Sequence, residues 1–153
     1  MNEIEEIKKA EKKGRDIVYN LIKGKVRRYE FTDITENVDL FITGKTDIVL
    51  VEIKDREDYS TDKIEKLGGQ WIEKHKYDDM MRISKRGYTP YFLAIFSDKI
   101  VLWRIDTLDI VWEKREVPVT TFGKKKGEMK IEDIGHLYLK DAVAKFSTKK
   151  YKV

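Results

Sequence analysis

Nine residues, Thr46 to Lys54 (Thr-Asp-Ile-Val-Leu-Val-Glu-Ile-Lys), constrain the fold of this chain more than any other segment. A run so rich in β-branched and apolar residues reads as a strand. Alternation puts Ile48, Leu50, Glu52 and Lys54 on one face, and Val49, Val51 and Ile53 on the other. The strand therefore ends by projecting a carboxylate and an ammonium from a face that is otherwise apolar. Such breaks in a pattern are where functional sites are expected. Alone, the tripeptide is common, and a strand emerging into solvent at Glu52 explains it equally well.

The surroundings narrow the choice. Residues 2–23 repeat Ile4, Ile7, Val18 and Leu21 at helical spacing, with Gly24 as a stop. Residues 26–31 and 37–43 read as strands, and Gly44-Lys45 turns the second back onto 46–54 as a hairpin. After a polar stretch at 55–62, a helix is expected over 63–86, interrupted at Gly68-Gly69 and stopped by Gly87. Strands follow at 90–96 and 99–105 around a tight Ser97-Asp98 turn, with a further strand at 108–113. A loop at 121–130 and a short closing helix at 140–147 complete the reading. Helix, hairpin, helix, hairpin specifies an α/β domain with a mixed central sheet flanked by helices. No repeat or linker divides the 153 residues, which suit one domain.

Composition bounds the chemistry. There is no cysteine and only His75 and His136, so thiolate or histidine-rich metal sites are excluded. A metal here is held by carboxylates, which favours Mg²⁺ or Mn²⁺. Charged residues make up 39% of the chain, with a net charge of only +4. The distribution is uneven: residues 31–113 carry twelve Lys/Arg against seventeen Asp/Glu, while residues 114–153 carry eleven against five. An acidic middle between basic ends suits a metal site beside a polyanion, and equally a plain solvated surface. With no signal-peptide pattern and no membrane-spanning run, a soluble, intracellular (cytoplasmic) protein is expected, with no membrane partner.

Asp39 supplies the second element of a site. Aspartate is disfavoured inside strands, yet it stands between Val38 and Leu40. The hairpin brings it back beside Glu52, so two carboxylates and Lys54 converge on one edge. Carboxylates so placed repel one another unless a cation joins them. Asp39, twelve residues, then Glu52-Ile53-Lys54 resembles the motif of the PD-(D/E)xK nuclease superfamily, with Val38 where a proline is frequent. The resemblance spans residues 2–105 and implies a restriction-endonuclease-like core. It further implies metal-dependent hydrolysis of phosphodiester bonds with DNA as partner, Asp39 and Glu52 as metal ligands and Lys54 as a catalytic residue.

Two further residues join by the same resemblance. Many members place a glutamate of the first helix at the metal; Glu11, on the apolar stripe, is the candidate, although it also suits the edge of that stripe. Gln70, sixteen residues after Lys54, resembles the extra catalytic glutamine of the RecB-like nucleases and archaeal Holliday junction resolvases. Tyr77 shares its helical face, but position 74, where the RecB-like pattern has tyrosine, is Lys74. Gln70 also suits a plain helix start. Lys124-Lys125-Lys126 could meet phosphates or simply face water. Junction resolution requires a homodimer, for which no dimer stripe is visible. The alternatives to an enzyme are a non-catalytic nucleic-acid-binding module of this fold, and an interaction protein with Glu52 and Lys54 as a surface ion pair.

Overall fold

The structure is a computed structural model, and it describes residues 3–32, 38–118 and 128–152. The strand at the centre of the sequence argument is β3 (Ile48–Arg56). It lies inside a six-stranded sheet, flanked on one side by β2 (Leu40–Thr43) and β1 (Arg28–Phe31). On its other side lie β5 (Tyr88–Phe96), β6 (Lys99–Arg104) and β9 (Ala144–Ser147). The order is β1-β2-β3-β5-β6-β9. Among the described residues only the β3–β5 pair is parallel, with Ile48 opposite Tyr88 and Arg56 opposite Phe96. The sheet is mixed, and the α/β architecture expected from the sequence is the one observed.

Each face of β3 is buried against a different layer. Val51 and Ile53 meet Ile17, Val18, Leu21 and Ile22 of α1 (Glu3–Ile22). Leu50, on the other face, joins a core with Phe92, Trp103 and Met80. That second layer contains α2 (Thr61–Lys66), α3 (Lys74–Ser84) and a small antiparallel sheet. The small sheet has the order β4-β8-β7, from β4 (Gln70–Glu73), β8 (Met129–Leu137) and β7 (Trp112–Pro118).

The layers are tied by hydrogen bonds as well as packing. Asp98, in the β5–β6 turn, accepts from the Thr61 N–H at 2.8 Å and from the Thr61 hydroxyl at 2.6 Å, which fastens the start of α2. The fully buried Trp103 donates its indole N–H to the Tyr138 carbonyl at 2.8 Å.

Three expectations are corrected. The helix over 63–86 is two helices separated by a strand. Gly68 and Gly69 take φ of 96° and 91°, and the Gly69 N–H caps α2 by donating to the Ile64 carbonyl. The strand expected at 108–113 is β7, beginning only at Trp112. The closing helix at 140–147 is instead a 3₁₀ turn at Leu139–Asp141, then β9, then α4 (Thr148–Tyr151). Alternating exposure of Ala144, Lys145, Phe146 and Ser147 on a sheet edge accounts for the strand. The strand β8 has no counterpart among the elements expected from sequence. Lys124-Lys125-Lys126 lies outside the described residues.

Gly14 lies where α1 faces β3. A Cβ at this position would lie 3.6 Å from the Asp55 Cβ and from the Ile95 side chain, and 3.7 Å from Ile53. That is ordinary van der Waals separation, so Gly14→Ala fits without displacement and gains helix propensity, raising stability by about 0.5–1 kcal/mol. Gly14→Leu overfills the seam and costs roughly 1–3 kcal/mol. Urea denaturation midpoints of the two variants should move in opposite directions.

Candidate active site

The site is built on the β2–β3 hairpin. Leu40 pairs with Val51, so one step further along the ladder Asp39 lies opposite Glu52. The Asp39 N–H continues the ladder by donating to the Val51 carbonyl at 3.1 Å. Both carboxyl side chains are buried, with Asp39 5% exposed and Glu52 3%. Buried carboxylates are costly unless hydrogen-bonded or paired.

Asp39 is held at both oxygens. Its Oδ2 accepts from the Ile53 backbone N–H at 2.8 Å. Its Oδ1 pairs with Arg15 of α1 at 3.2 Å. Arg15 also donates to the Thr32 carbonyl, so one guanidinium fastens α1 to the strand entering the site. Glu52 is held differently. Its Oε1 lies 3.4 Å from the Lys54 ammonium and 3.5 Å from the Lys76 ammonium of α3. Its Oε2 is buried with no hydrogen-bond partner among the described residues.

The electrostatics follow from this placement. Burial pushes the Glu52 carboxyl up to about 7; Lys54 and Lys76 act against the rise, and the neighbouring Asp39 charge adds to it. Glu11, half-buried on α1, is also raised, first by burial and then by Asp39, with Lys54, Arg15 and Lys76 opposing. Glu11 thus feels both Asp39 and Lys54. It lines a cavity of about 170 Å³ with Gly14, Ile53, Lys54 and Asp55. Three carboxyl groups and two ammonium groups meet at the end of a central strand.

Four of the five residues singled out from sequence, Glu11, Asp39, Glu52 and Lys54, are brought together. Gln70 is not among them. It opens β4 rather than a helix, and its side chain lies on the same strand face as Ile72, towards the core. Its amide nitrogen donates to the Trp71 carbonyl at 3.0 Å, and its oxygen is buried without a partner among the described residues. Tyr77, expected on its helical face, belongs to α3 and packs edge-on to Trp112. Two positioned cations were missed. Arg15 is one helical turn beyond Glu11, a signal that i, i+4 spacing offered. Lys76 reaches Glu52 only through the tertiary fold.

The carboxyl groups fit a divalent cation. The donor set is all oxygen, which suits Mg²⁺ or Mn²⁺. The buried Glu52 Oε2 is an acceptor with nothing to accept from among the described residues. A second trio, Glu73, His75 and Glu132, has one possible ligand atom from each residue within 4.8 Å of the others. There Lys130 already lies 3.0 Å from Glu132 and 3.8 Å from Glu73.

The fold, a mixed sheet with helices on both faces, is shared with a solved structure. That structure, Hjc from Archaeoglobus fulgidus, a Holliday junction resolvase from an archaeal hyperthermophile, aligns over 84% of this chain and 93% of its own. The TM-score is 0.51 and the sequence identity 11%. No protein-family model matches the chain, and no curated protein matches it by comparison. No helix among the described residues is long and apolar enough to cross a membrane.

The raised Glu52 carboxyl has a consequence for stability. Between about pH 4.5, where it ionises in the unfolded chain, and about pH 7, the folded chain holds a proton that the unfolded chain has released. Stability from this group is therefore present at low pH and lost as pH rises through that window. Glu52→Gln has no such loss. In metal-free buffer, the stability of Glu52→Gln relative to the parent should rise by on the order of 2–3 kcal/mol from pH 4.5 to pH 8, read by urea denaturation.

Proposed function

We propose that this protein is a divalent-metal-dependent deoxyribonuclease that recognises DNA by structure, as a junction, flap or end, rather than by a long base sequence. One observation carries the proposal: Asp39, Glu52 and Lys54 converge with Glu11 at the end of the central strand, on a fold shared with a junction resolvase.

Asp39 and Glu52, with Glu11, would hold Mg²⁺ or Mn²⁺. The bound ion would supply Lewis-acid stabilisation of phosphate charge and a more acidic water. The protein's own groups do the rest. Arg15 and the Ile53 N–H fix the Asp39 carboxylate so that its remaining lone pairs point at one place. Lys54, on the same strand face as Glu52, would hydrogen-bond through its ammonium to a phosphoryl oxygen, or, only once it has itself lost a proton, accept one from the attacking water. Lys76 brings a second positive charge from α3 towards the same phosphate.

The competing reading, a non-catalytic nucleic-acid-binding module, draws on one specific observation. Lys54 and Lys76 already neutralise Glu52, so the site is balanced without an ion. Incubation with single-stranded, duplex, flapped and four-way-junction DNA, in Mg²⁺, Mn²⁺ or EDTA, decides between them. Metal-dependent cleavage that falls at least about a hundredfold in Lys54→Ala is the expected result. Divalent ions should also raise the melting temperature of the parent and leave Asp39→Ala unmoved. DNA binding with no cleavage of any substrate would leave the binding module standing.

A further inference from the structure

Two segments far apart in sequence contain basic residues and no acidic ones. Residues 22–28 carry Lys23, Lys25, Arg27 and Arg28. Residues 144–152 carry Lys145, Lys149, Lys150 and Lys152. All eight are exposed. The chain as a whole is only +4, so the rest of the molecule is net negative.

The fold places these segments side by side. α4 packs on α1, and Asn20 donates to the Tyr151 carbonyl at 3.0 Å. The Lys25 ammonium reaches the Tyr151 hydroxyl at 2.9 Å and lies 5.1 Å from the Phe146 ring centroid. The Lys150 ammonium lies 5.6 Å from the Tyr151 ring that Lys25 also approaches, at 5.0 Å. Two ammonium groups therefore share one aromatic ring, whose negative faces favour both. Their charge remains open to a polyanion.

The seam also leads to the candidate site. Lys152 and Lys13 share Glu57 Oε2, at 3.4 and 2.6 Å. Glu57 is three residues beyond Lys54, so the end of the chain is fastened beside the end of β3. α1 contains Glu11 near its middle, and the basic seam begins just past its last residue, Ile22. The twelve residues from Glu11 to Lys23 span about 18 Å of helix, the length of roughly half a turn of duplex. Two nearby carboxylates are already matched: Asp16 pairs with Lys12 at 2.9 Å, and Glu57 with two lysines.

We propose that the α1–α4 seam is the phosphate-binding track for duplex DNA flanking the cleavage point, gripping the backbone on the far side of α1 from the carboxylates. The seam reads charge rather than bases. This deepens the nuclease reading and rests on it for the identity of the polyanion.

The test uses the full chain in EDTA, so that binding is measured without cleavage. A seam variant combines Arg27→Gln, Arg28→Gln, Lys145→Gln and Lys149→Gln. A control of equal charge combines Lys66→Gln, Lys85→Gln, Arg86→Gln and Lys114→Gln, all exposed and outside the two seam segments. Melting temperatures establish that both fold. Affinity for labelled duplex and four-way-junction DNA is measured by anisotropy from about 50 to 200 mM salt. The seam variant should bind at least about tenfold more weakly. Its slope of log affinity against log salt should be shallower by roughly 0.9 for each phosphate that is no longer neutralised, with the control within about threefold of the parent.

Equal losses in both variants, or none in the seam variant, would overturn the track. So would a seam effect seen only on phosphatidylserine vesicles and not on DNA. A parallel cleavage assay of the parent in Mg²⁺ separates the two proposals. Cleavage with seam-independent binding removes the track alone, whereas seam-dependent binding without cleavage removes the nuclease alone.

Discussion

The burial of the Glu52 carboxyl group is the constraint around which this structure is organised. A carboxylate inside a sheet is tolerated only with countercharge close by, and the chain brings it from two directions. Lys54 comes from the same strand, and Lys76 from α3, within the crossover that joins β3 to β5. Asp39, one ladder step across, is satisfied separately by Arg15 of α1 and by the Ile53 N–H. Three elements are thereby committed to one point. Among the described residues the only parallel pairing in the main sheet, β3 with β5, encloses the segment that delivers Lys76.

The same arrangement links the two layers. α1 is positioned by apolar packing of Ile17, Val18 and Leu21 against Val51, Ile53 and Leu93. Its polar residues Glu11 and Arg15 are then set at the strand end. The opposite layer reaches the site through α3, whose Met80 is buried in the core shared with Leu50 and Phe92. Stability and site geometry are therefore not separable here. The apolar packing that holds the layers together also fixes where the charges meet.

Much of this was legible in the sequence because it was local. The hairpin from Asp39 to Lys54 needs only alternation and a turn, and the resemblance to a nuclease motif agrees with the fold observed. β5 and β6 were visible as aromatic and aliphatic runs around Ser97-Asp98. What was hidden depended on context. Gln70 read as helical because Ile64, Trp71 and Tyr77 lie among good helix formers, but two successive left-handed glycines end α2 and open a strand instead. Residues 144–147 have too little apolar content to announce a strand, and only the edge of β6 makes them one. Lys76 was hidden because its partner, Glu52, lies on the other side of the crossover in sequence.

The single parallel pair also implies an order of assembly. A hairpin of local pairings closes quickly, whereas β3 and β5 can pair only after the intervening chain has been gathered into a loop. Asp39 and Glu52 thus become neighbours early, with Lys54 beside them, and Lys76 arrives only when the crossover docks. For part of the folding path the two carboxyl groups face each other with part of their countercharge missing. A proton on Glu52, or a cation from solution, would hold that intermediate together, so acidity and divalent ions would act on the speed of folding as well as on the finished molecule.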